Sequence, residues 1–474
     1  LNLDEILQSL GIRDKIANVT VSSVTEDIAK VKEGSLFFAV KGRNTDGNRF
    51  INKAFDAGAV AVISSEKYPD ARVFTVNDVR EALSVAACKF YFPSRDKMQL
   101  IGITGTNGKS STAGYLRHII NSSGRKCAVI GTLGSVSDDD YTDTGYTTPA
   151  AEILYSELEK HALSGNEYCV LEVSSQALAM KRTHALRFSL GIFTNLGTDH
   201  LDWHKSREEY MKAKKLLFNN CDKALVNADD CFKDEFCGIA SEGTYLYSLK
   251  DDYADYTARN IRIKKDEISY LMLDEYGLCK IRFNANGEFS VYNSLAAAAG
   301  ANILGITHSE ICEAVHTLPV IKGRMEKISA RGIDVYIDFA HTPEALENAL
   351  KALKTVTKRK LICVFGCGGD RDKSKRSLMG AVASEYADII VLTSDNPRGE
   401  DPSDIISDII IGIKNINKIY KEIDREKAVA LALKKAKDGD IVLIAGKGHE
   451  NYMICSGEKK YFSDEITVKK ILGV

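Results

Sequence analysis

Proline is scarce in this 474-residue chain, at 7, and so little of it argues against collagen-like or Pro-rich linker architectures. Nor is there an apolar run approaching the ~18 residues that would predict a membrane-spanning helix. Neither sign of charge dominates: 63 Lys and Arg against 65 Asp and Glu leave a formal charge of −2. That balance excludes a generally basic binder of nucleic acid or anionic lipid, while leaving room for local basic sites. The 11 cysteines are odd in number and contain no Cys-x-x-Cys pair. The closest spacing, Cys363 and Cys367, has no matching Cys/His pair beside it, which argues against zinc and against a disulfide scaffold. Reduced thiols in or near the core are expected instead. The first residues, Leu1-Asn2-Leu3-Asp4-Glu5, have neither the basic nor the apolar region of a signal peptide, so a cytoplasmic location is expected.

What is present is an ordinary soluble composition, 44% hydrophobic and 27% charged, over a length that predicts about three domains at ~150 residues each. Residues 1–97 alternate short strands and turns, with Leu36–Val40 and Val60–Ile63 as strands around a helix near Phe50–Ala57. Phe92-Pro93-Ser94-Arg95 marks a boundary. A second unit, 98–322, opens on the strand Leu100–Ile103 and the helix Ser110–Ile120, with further strands at Tyr168–Leu171 and Ala224–Val226. Its 250–292 stretch alternates like an antiparallel ribbon, and Ser294–Ala301 reads as helix. The third unit, 323–474, repeats strand and helix: strands Val335–Ile337, Leu361–Phe365, Ile389–Leu392 and Ile441–Ile444, helices Glu344–Leu353 and Glu426–Lys437. This is an α/β pattern, and it predicts a mainly parallel sheet with helices on both faces and ligands at the strands' carboxyl ends.

The strongest local signal is Thr104-Gly105-Thr106-Asn107-Gly108-Lys109-Ser110-Ser111. A strand, a tight glycine loop and a helix N-terminus let backbone N–H groups surround phosphate oxygens, with Lys109 toward the β- and γ-phosphates and Ser110 toward Mg²⁺. The usual template has glycine where this chain has Ile103, and a purely structural glycine turn is the competing reading. Glu172 ends a strand, His200 stands in Thr194–Leu201, and Lys214 lies in a Lys-rich helical run that normally faces solvent. Each of the three, alone, reads equally or better as a structural residue.

Together these motifs resemble the ATP-dependent Mur ligases of peptidoglycan synthesis. The phosphate loop, Glu172-Val173-Ser174-Ser175 and Asn195 through Leu201 carry the resemblance, which spans essentially the whole chain. It implies three domains: an N-terminal UDP-substrate-binding domain, a central P-loop ATPase-like domain and a C-terminal Rossmann-like domain. Within the family the chain is most similar to the ligases that add the third amino acid. The implied reaction activates the D-glutamate γ-carboxylate of UDP-N-acetylmuramoyl-L-alanyl-D-glutamate as an acyl phosphate, which an amine then attacks.

The resemblance further implies roles for individual residues. Ser110, Glu172, His200 and an N-carboxylated Lys214 would hold magnesium; a carbamate replaces an ammonium by an oxygen anion that suits this hard cation. Asn293 would contact adenine, Arg324 the ATP phosphates, Asp338 the ribose, and His341 the adenine-side surface. Phe339 takes the place of a common tyrosine, keeping the ring and losing the hydroxyl. Asp27, Lys41, Gly42, Thr147, Thr148, Ser175 and Arg182 would bind the UDP-linked substrate. Ile28 and Ala29 depart from the family's serine and arginine, Met180 from its glutamine, and Gln176 from its histidine.

The amino acid added is implied by Asp395-Asn396-Pro397-Arg398, similar to the form associated with meso-diaminopimelate. Arg398 would pair with the distant carboxylate, supported by Arg371, Asn396, Gly446 and Glu450. The alternatives are the L-lysine-adding relative and, from a different class, a non-catalytic nucleotide-binding assembly protein.

Overall fold

The computed structural model describes residues 1–13, 19–42, 45–138 and 140–474, with the backbone alone at Leu201. Among them no helix is long and apolar enough to cross a membrane. Three sheets follow one another along the chain, each with its own helices.

The first sheet contains β1 (Ser23–Thr25), β2 (Ser35–Phe38), β3 (Ala61–Ser64) and β4 (Val73–Thr75), all parallel in that order. The helix Val79–Tyr91 starts on an Asp78 cap, whose carboxylate accepts from the Arg80 and Glu81 amides. It ends at Tyr91, just before Phe92. Lys181 from the next domain donates to Asp78 and Glu81, and the Ser84 and Tyr155 hydroxyls meet at 2.7 Å, tying the two units together.

The central sheet has eleven strands. They are β5 (Gln99–Thr104), β6 (Cys127–Gly131), β7 (Gly134–Val136), β8 (Tyr141–Thr142), β9 (Tyr168–Glu172), β10 (Phe188–Phe193), β11 (Cys221–Asn227), β12 (Thr244–Ser248), β13 (Tyr256–Lys264), β14 (Glu267–Asp274) and β15 (Gly277–Phe283). The spatial order β15-β14-β13-β12-β11-β10-β5-β9-β6-β7-β8 puts β5 between β9 and β10, all parallel. These inner strands are apolar runs buried on both faces, as a covered parallel sheet requires. The expected antiparallel ribbon is β13–β15, but it stops short of 292. After Gly287 the helix Glu288–Ile303 begins, longer than its alanine run suggests and almost wholly buried. Cys279 and Cys312 depart from the expected reduced thiols: they form a sulfur–sulfur pair with Cα atoms 5.5 Å apart.

The third sheet holds β16 (Glu326–Ala330), β17 (Ile333–Asp338), β18 (Leu361–Phe365), β19 (Ile389–Leu392), β20 (Ile419–Lys421) and β21 (Ile441–Ala445), in the order β16-β17-β21-β18-β19-β20. Only β16 runs antiparallel. Separate apolar clusters lie on its two faces, the doubly covered arrangement that the alternating pattern predicts. A small hairpin, β22 (Tyr452–Cys455) with β23 (Glu458–Tyr461), follows. The fully buried Arg425 pairs with the equally buried Asp464 and donates to the carbonyls of Ser394, just past β19, and Ala445, at the end of β21. One guanidinium thereby sets the spacing of two loops that shape the site.

Candidate active site

Three adjacent strand ends create the phosphate loop's surroundings. β5 runs into Gly105, β9 ends on Glu172, and β10 leads into Thr194 and Asn195. Gly105 adopts φ +151° and presses against Thr194, so a side chain there has no room. Gly108, at φ +89°, heads the helix Lys109–Ser122 with Asn293 directly beside it. The segment after β10 braces the loop: Thr106 N donates to Asn195 O (2.9 Å) and Asn107 N to Asn195 Oδ1 (3.0 Å). The Thr194 hydroxyl and Asn195 amide return bonds to Asn107 O. Lys109 folds over its own loop, with Nζ 2.9 Å from the Gly105 and Thr106 carbonyls. Burial pushes its ammonium below the usual lysine range; Glu172 opposes that and Arg324 adds to it.

Of the four expected metal ligands, two touch. Ser110 Oγ donates to Glu172 Oε2 at 2.9 Å. Thr132, one residue past β6, holds Glu172 from behind through its amide and hydroxyl, both at 3.0 Å. Lys214 is fully buried, contrary to its solvated-looking sequence, and donates to Gly105 O at 2.8 Å. Burial, with the charge of Lys109, drives its amine far below the usual lysine range. His200, at φ +56°, lies 3.4 Å from Asp199 and is pushed down to about 4, chiefly by burial. Among the described residues no group of three His, Cys, Asp or Glu forms a metal cage. The donors that fit Mg²⁺ are thus the Ser110–Glu172 oxygens, with Lys214 supplying oxygen only as a carbamate and the neutral His200 ring offering a nitrogen.

A cavity of about 790 Å³ opens between the central and third domains, lined among others by Asn107, Gly108, Ser110, Ser111, Asn293, Arg324 and Asp338. Arg324 donates to Ser110 Oγ (3.0 Å) and stacks on Phe339, 4.6 Å from its centroid, so the phenyl ring retains a packing role without the hydroxyl. The Asp338 oxygens accept from the Met325 and Ala340 amides at 2.8 Å. His341 is not among the residues lining this cavity. Its Nδ1 meets Phe339 O, and its Nε2 lies 3.6 Å from Asp199. Asp229 was not anticipated: it lines the same cavity and accepts from Tyr292 at 2.8 Å.

The candidate substrate residues of the central domain continue this network. Thr147 and Thr132 share a hydroxyl contact at 3.0 Å, and Thr148 donates to Glu172 O at 2.8 Å. Arg182 donates to Thr148 O, and Ser175 meets His204. Asp27, Lys41 and Gly42 stay in the first domain. Asp27 caps the turn Ile28–Lys30, Lys41 O accepts from Arg80, and Gly42 N donates to Thr45 O.

On the third domain, the ends of β18, β19 and β21 bring the remaining candidates together. Gly446, at φ +111°, packs against Asp395. Asn396 Nδ2 donates to Glu450 Oε2 at 3.0 Å, and Gly369 N donates to Asn396 O. Arg398, after Pro397 and at φ +53°, uses Nη1 on the Gly369 and Asn396 carbonyls. Burial and then the nearby Arg371 charge lower its pKa, and the Arg371 and Arg398 side chains both lie against Gly368. Arg371 also lies 3.7 Å from Asp202 of the central domain.

Three family models match in order: "Mur ligase family, catalytic domain" over 20–91, "Mur ligase middle domain" over 103–301, and "Mur ligase, glutamate ligase domain" over 323–448. The chain belongs to the Mur ligase family. Among relatives of this Mur ligase, the UDP-N-acetylmuramoyl-L-alanyl-D-glutamate--2,6-diaminopimelate ligase of Caldanaerobacter subterraneus is 40% identical over 472 residues, covering 98% of each chain. The ligase 1 of that name from Clostridium acetobutylicum is 38% identical, covering 96% of this chain and 95% of its own. A solved structure of a ligase with the same name superposes with TM-score 0.72 at 31% identity, covering 100% of this chain and 99% of its own. MurF from Acinetobacter baumannii (TM-score 0.68, 18% identity, 100% and 99% covered) shares the fold. The three-domain α/β architecture and the ATP-dependent amide-bond-forming ligase class follow from that membership.

Proposed function

We propose that this Mur ligase joins meso-2,6-diaminopimelate to the D-glutamate γ-carboxylate of UDP-N-acetylmuramoyl-L-alanyl-D-glutamate, consuming ATP, in peptidoglycan synthesis. Its working units are 1–97 for the UDP substrate, 98–322 for ATP and 323–474 for the amino acid. The observation that carries the reading is the clustering of Arg371, Asn396, Arg398 and Glu450 beyond the ends of parallel strands, with the Arg371 and Arg398 side chains both against Gly368. A second, distant carboxylate supplies an anion for that pair of cations, and lysine has none.

A γ-carboxylate oxygen attacks the terminal phosphorus of ATP, and ADP departs with the P–O electron pair. The amine lone pair then adds to the acyl carbon; the tetrahedral species collapses, phosphate leaves, and the nitrogen loses a proton. Lys109 and Arg324 offset the negative charge that builds on the phosphoryl oxygens. Mg²⁺, when bound, would screen phosphate charge, held by Ser110, Glu172, His200 and carbamylated Lys214. Thr132 keeps Glu172 aimed at Ser110, and Thr147, Thr148, Ser175 and Arg182 orient the muramoyl peptide beside it. Asn293, Asp338 and the Gly105–Ser111 loop hold the nucleotide, with His341 at its border, while Asp27, Lys41 and Gly42 serve the uridine end.

Two measurements test this. Ligation with each amino acid at low concentration, followed by ADP release and product mass, should favour meso-diaminopimelate over L-lysine by at least about 100-fold in kcat/KM. A lysine preference overturns the specificity, and ATP use with neither amino acid revives the assembly-protein reading. Protein equilibrated with ¹³C-bicarbonate should show a carbamate carbon signal that Lys214→Arg abolishes. A signal unchanged by that substitution, or none at all, rejects the modification.

A further inference from the structure

Lys447 follows Gly446 directly and is fully buried. Its Nζ lies 2.9 Å from Glu450 Oε2 and 3.2 Å from Asn396 Oδ1. The same Asn396 oxygen accepts from Ile454 N at 2.9 Å. Two donors therefore occupy both acceptor directions of that oxygen. Flipping the amide would set its NH₂ against two N–H groups, so Nδ2 is held facing Glu450. Asn396 then offers an incoming ligand a donor and never an acceptor. Glu450 is fixed as well: Oε2 takes bonds from Lys447 and Asn396, while Oε1 takes a longer one from Tyr452 at 3.3 Å.

We propose that Lys447 is a positioning residue for amino-acid selection, locking Asn396 as donor and Glu450 as acceptor for the distal head of the incoming diamino diacid. This rests on the diaminopimelate reading above. The distal carboxylate meets the Asn396 N–H and Arg398, and the distal ammonium meets Glu450 Oε1. Because donor and acceptor cannot exchange places, the pair reads the handedness of the distal carbon. Exchanging ammonium and carboxylate there sets like charge against like. Other charges crowd the same wall: Asp395, whose Oδ2 is buried without a hydrogen-bond partner, and the buried Arg425. Burial raises the Asp395 carboxyl, but Lys447 and then Arg425 outweigh that and hold it below its usual range. A purely structural role for Lys447 is therefore the alternative to be separated.

Lys447→Met keeps the stem and removes the charge. In the full-length enzyme it should raise the KM for meso-diaminopimelate by on the order of 10–100-fold, and reduce the preference for the meso over the LL isomer by a similar factor. The KM values for ATP and the UDP-linked substrate should stay within about twofold. Unchanged selectivity, or all three KM values rising together, overturns the proposal. Should Lys447→Met fail to fold, Asn396→Asp decides. It keeps an oxygen for Lys447 and Ile454 but puts an acceptor where the donor stood, so wild-type affinity and isomer preference in that variant would equally overturn the idea. A wild-type enzyme that ignores meso-diaminopimelate refutes the function reading. One that uses it while Lys447 is dispensable refutes this inference alone.

Discussion

Lys109→Met is expected to lower the ligation rate by about 10²–10³-fold, the scale of removing one preorganised charge from a phosphoryl-transfer site. Lys109 is half-buried, and its hydrogen bonds are to carbonyls of its own loop, Gly105 and Thr106. Those carbonyls hold Nζ over the loop where phosphate oxygens would lie, so little reorganisation is needed as charge develops. Methionine keeps most of the stem's volume, and the Thr194 and Asn195 braces remain, so the loop should keep its shape. Steady-state ADP release and single-turnover acyl-phosphate formation both check it. The kcat should fall far more than the melting temperature shifts. Activity within tenfold of wild type would mean that Arg324 and the metal carry the charge without Lys109.

Much of this site is legible in the chain because its parts sit at strand ends. Gly105–Ser111, Glu172 and the 194–200 segment each follow an apolar run, and parallel pairing of β9, β5 and β10 brings such ends side by side. Lys214 shows where local pattern fails. In Tyr210–Lys215 the lysines look like a wet helical face, yet the helix Arg207–Lys215 buries Tyr210, Ala213 and Lys214. The contacts responsible are distant in sequence: Tyr210 Oη with Thr106 Oγ1 at 3.1 Å, and Lys214 with Gly105. Periodicity carries no information about a partner a hundred positions away. Thr132, Asp229 and Lys447 were missed for the same reason, since each acts on a residue distant in sequence: Glu172, Tyr292 and Asn396. The helix starting at Glu288 overrode alternation at 288–292, because burial against the central sheet outweighs local β-propensity. The antiparallel β16 and β23 are short, partly exposed strands with little apolar signal, and β22 is an apolar run of only four residues.

Arg398→Ala is expected to raise the KM for meso-diaminopimelate by about 10²–10³-fold, as loss of a partly buried, charge-assisted pair with a carboxylate should. The ATP KM should stay within about twofold, because the nucleotide cavity is lined by other strand ends. The backbone should contribute little to that change. Arg398 sits at φ +53° and is pinned on both sides, its amide to Ile454 O at 3.0 Å and its carbonyl to Ser456 N at 2.7 Å. Alanine meets the same left-handed strain, so it leaves this term nearly unchanged, whereas a glycine variant would relax it. Arg398→Lys isolates charge from geometry: it retains the cation but loses the planar fork, and should recover only part of the affinity. Activity with L-lysine, which has no distal carboxylate to lose, should change little, so the preference between the two amino acids collapses. Equal losses toward ATP and the amino acid would reject Arg398 as a specificity residue. A collapse of preference in Arg398→Ala with partial recovery in Arg398→Lys would instead place the second carboxylate at Arg398, whose side chain shares the flank of Gly368 with Arg371.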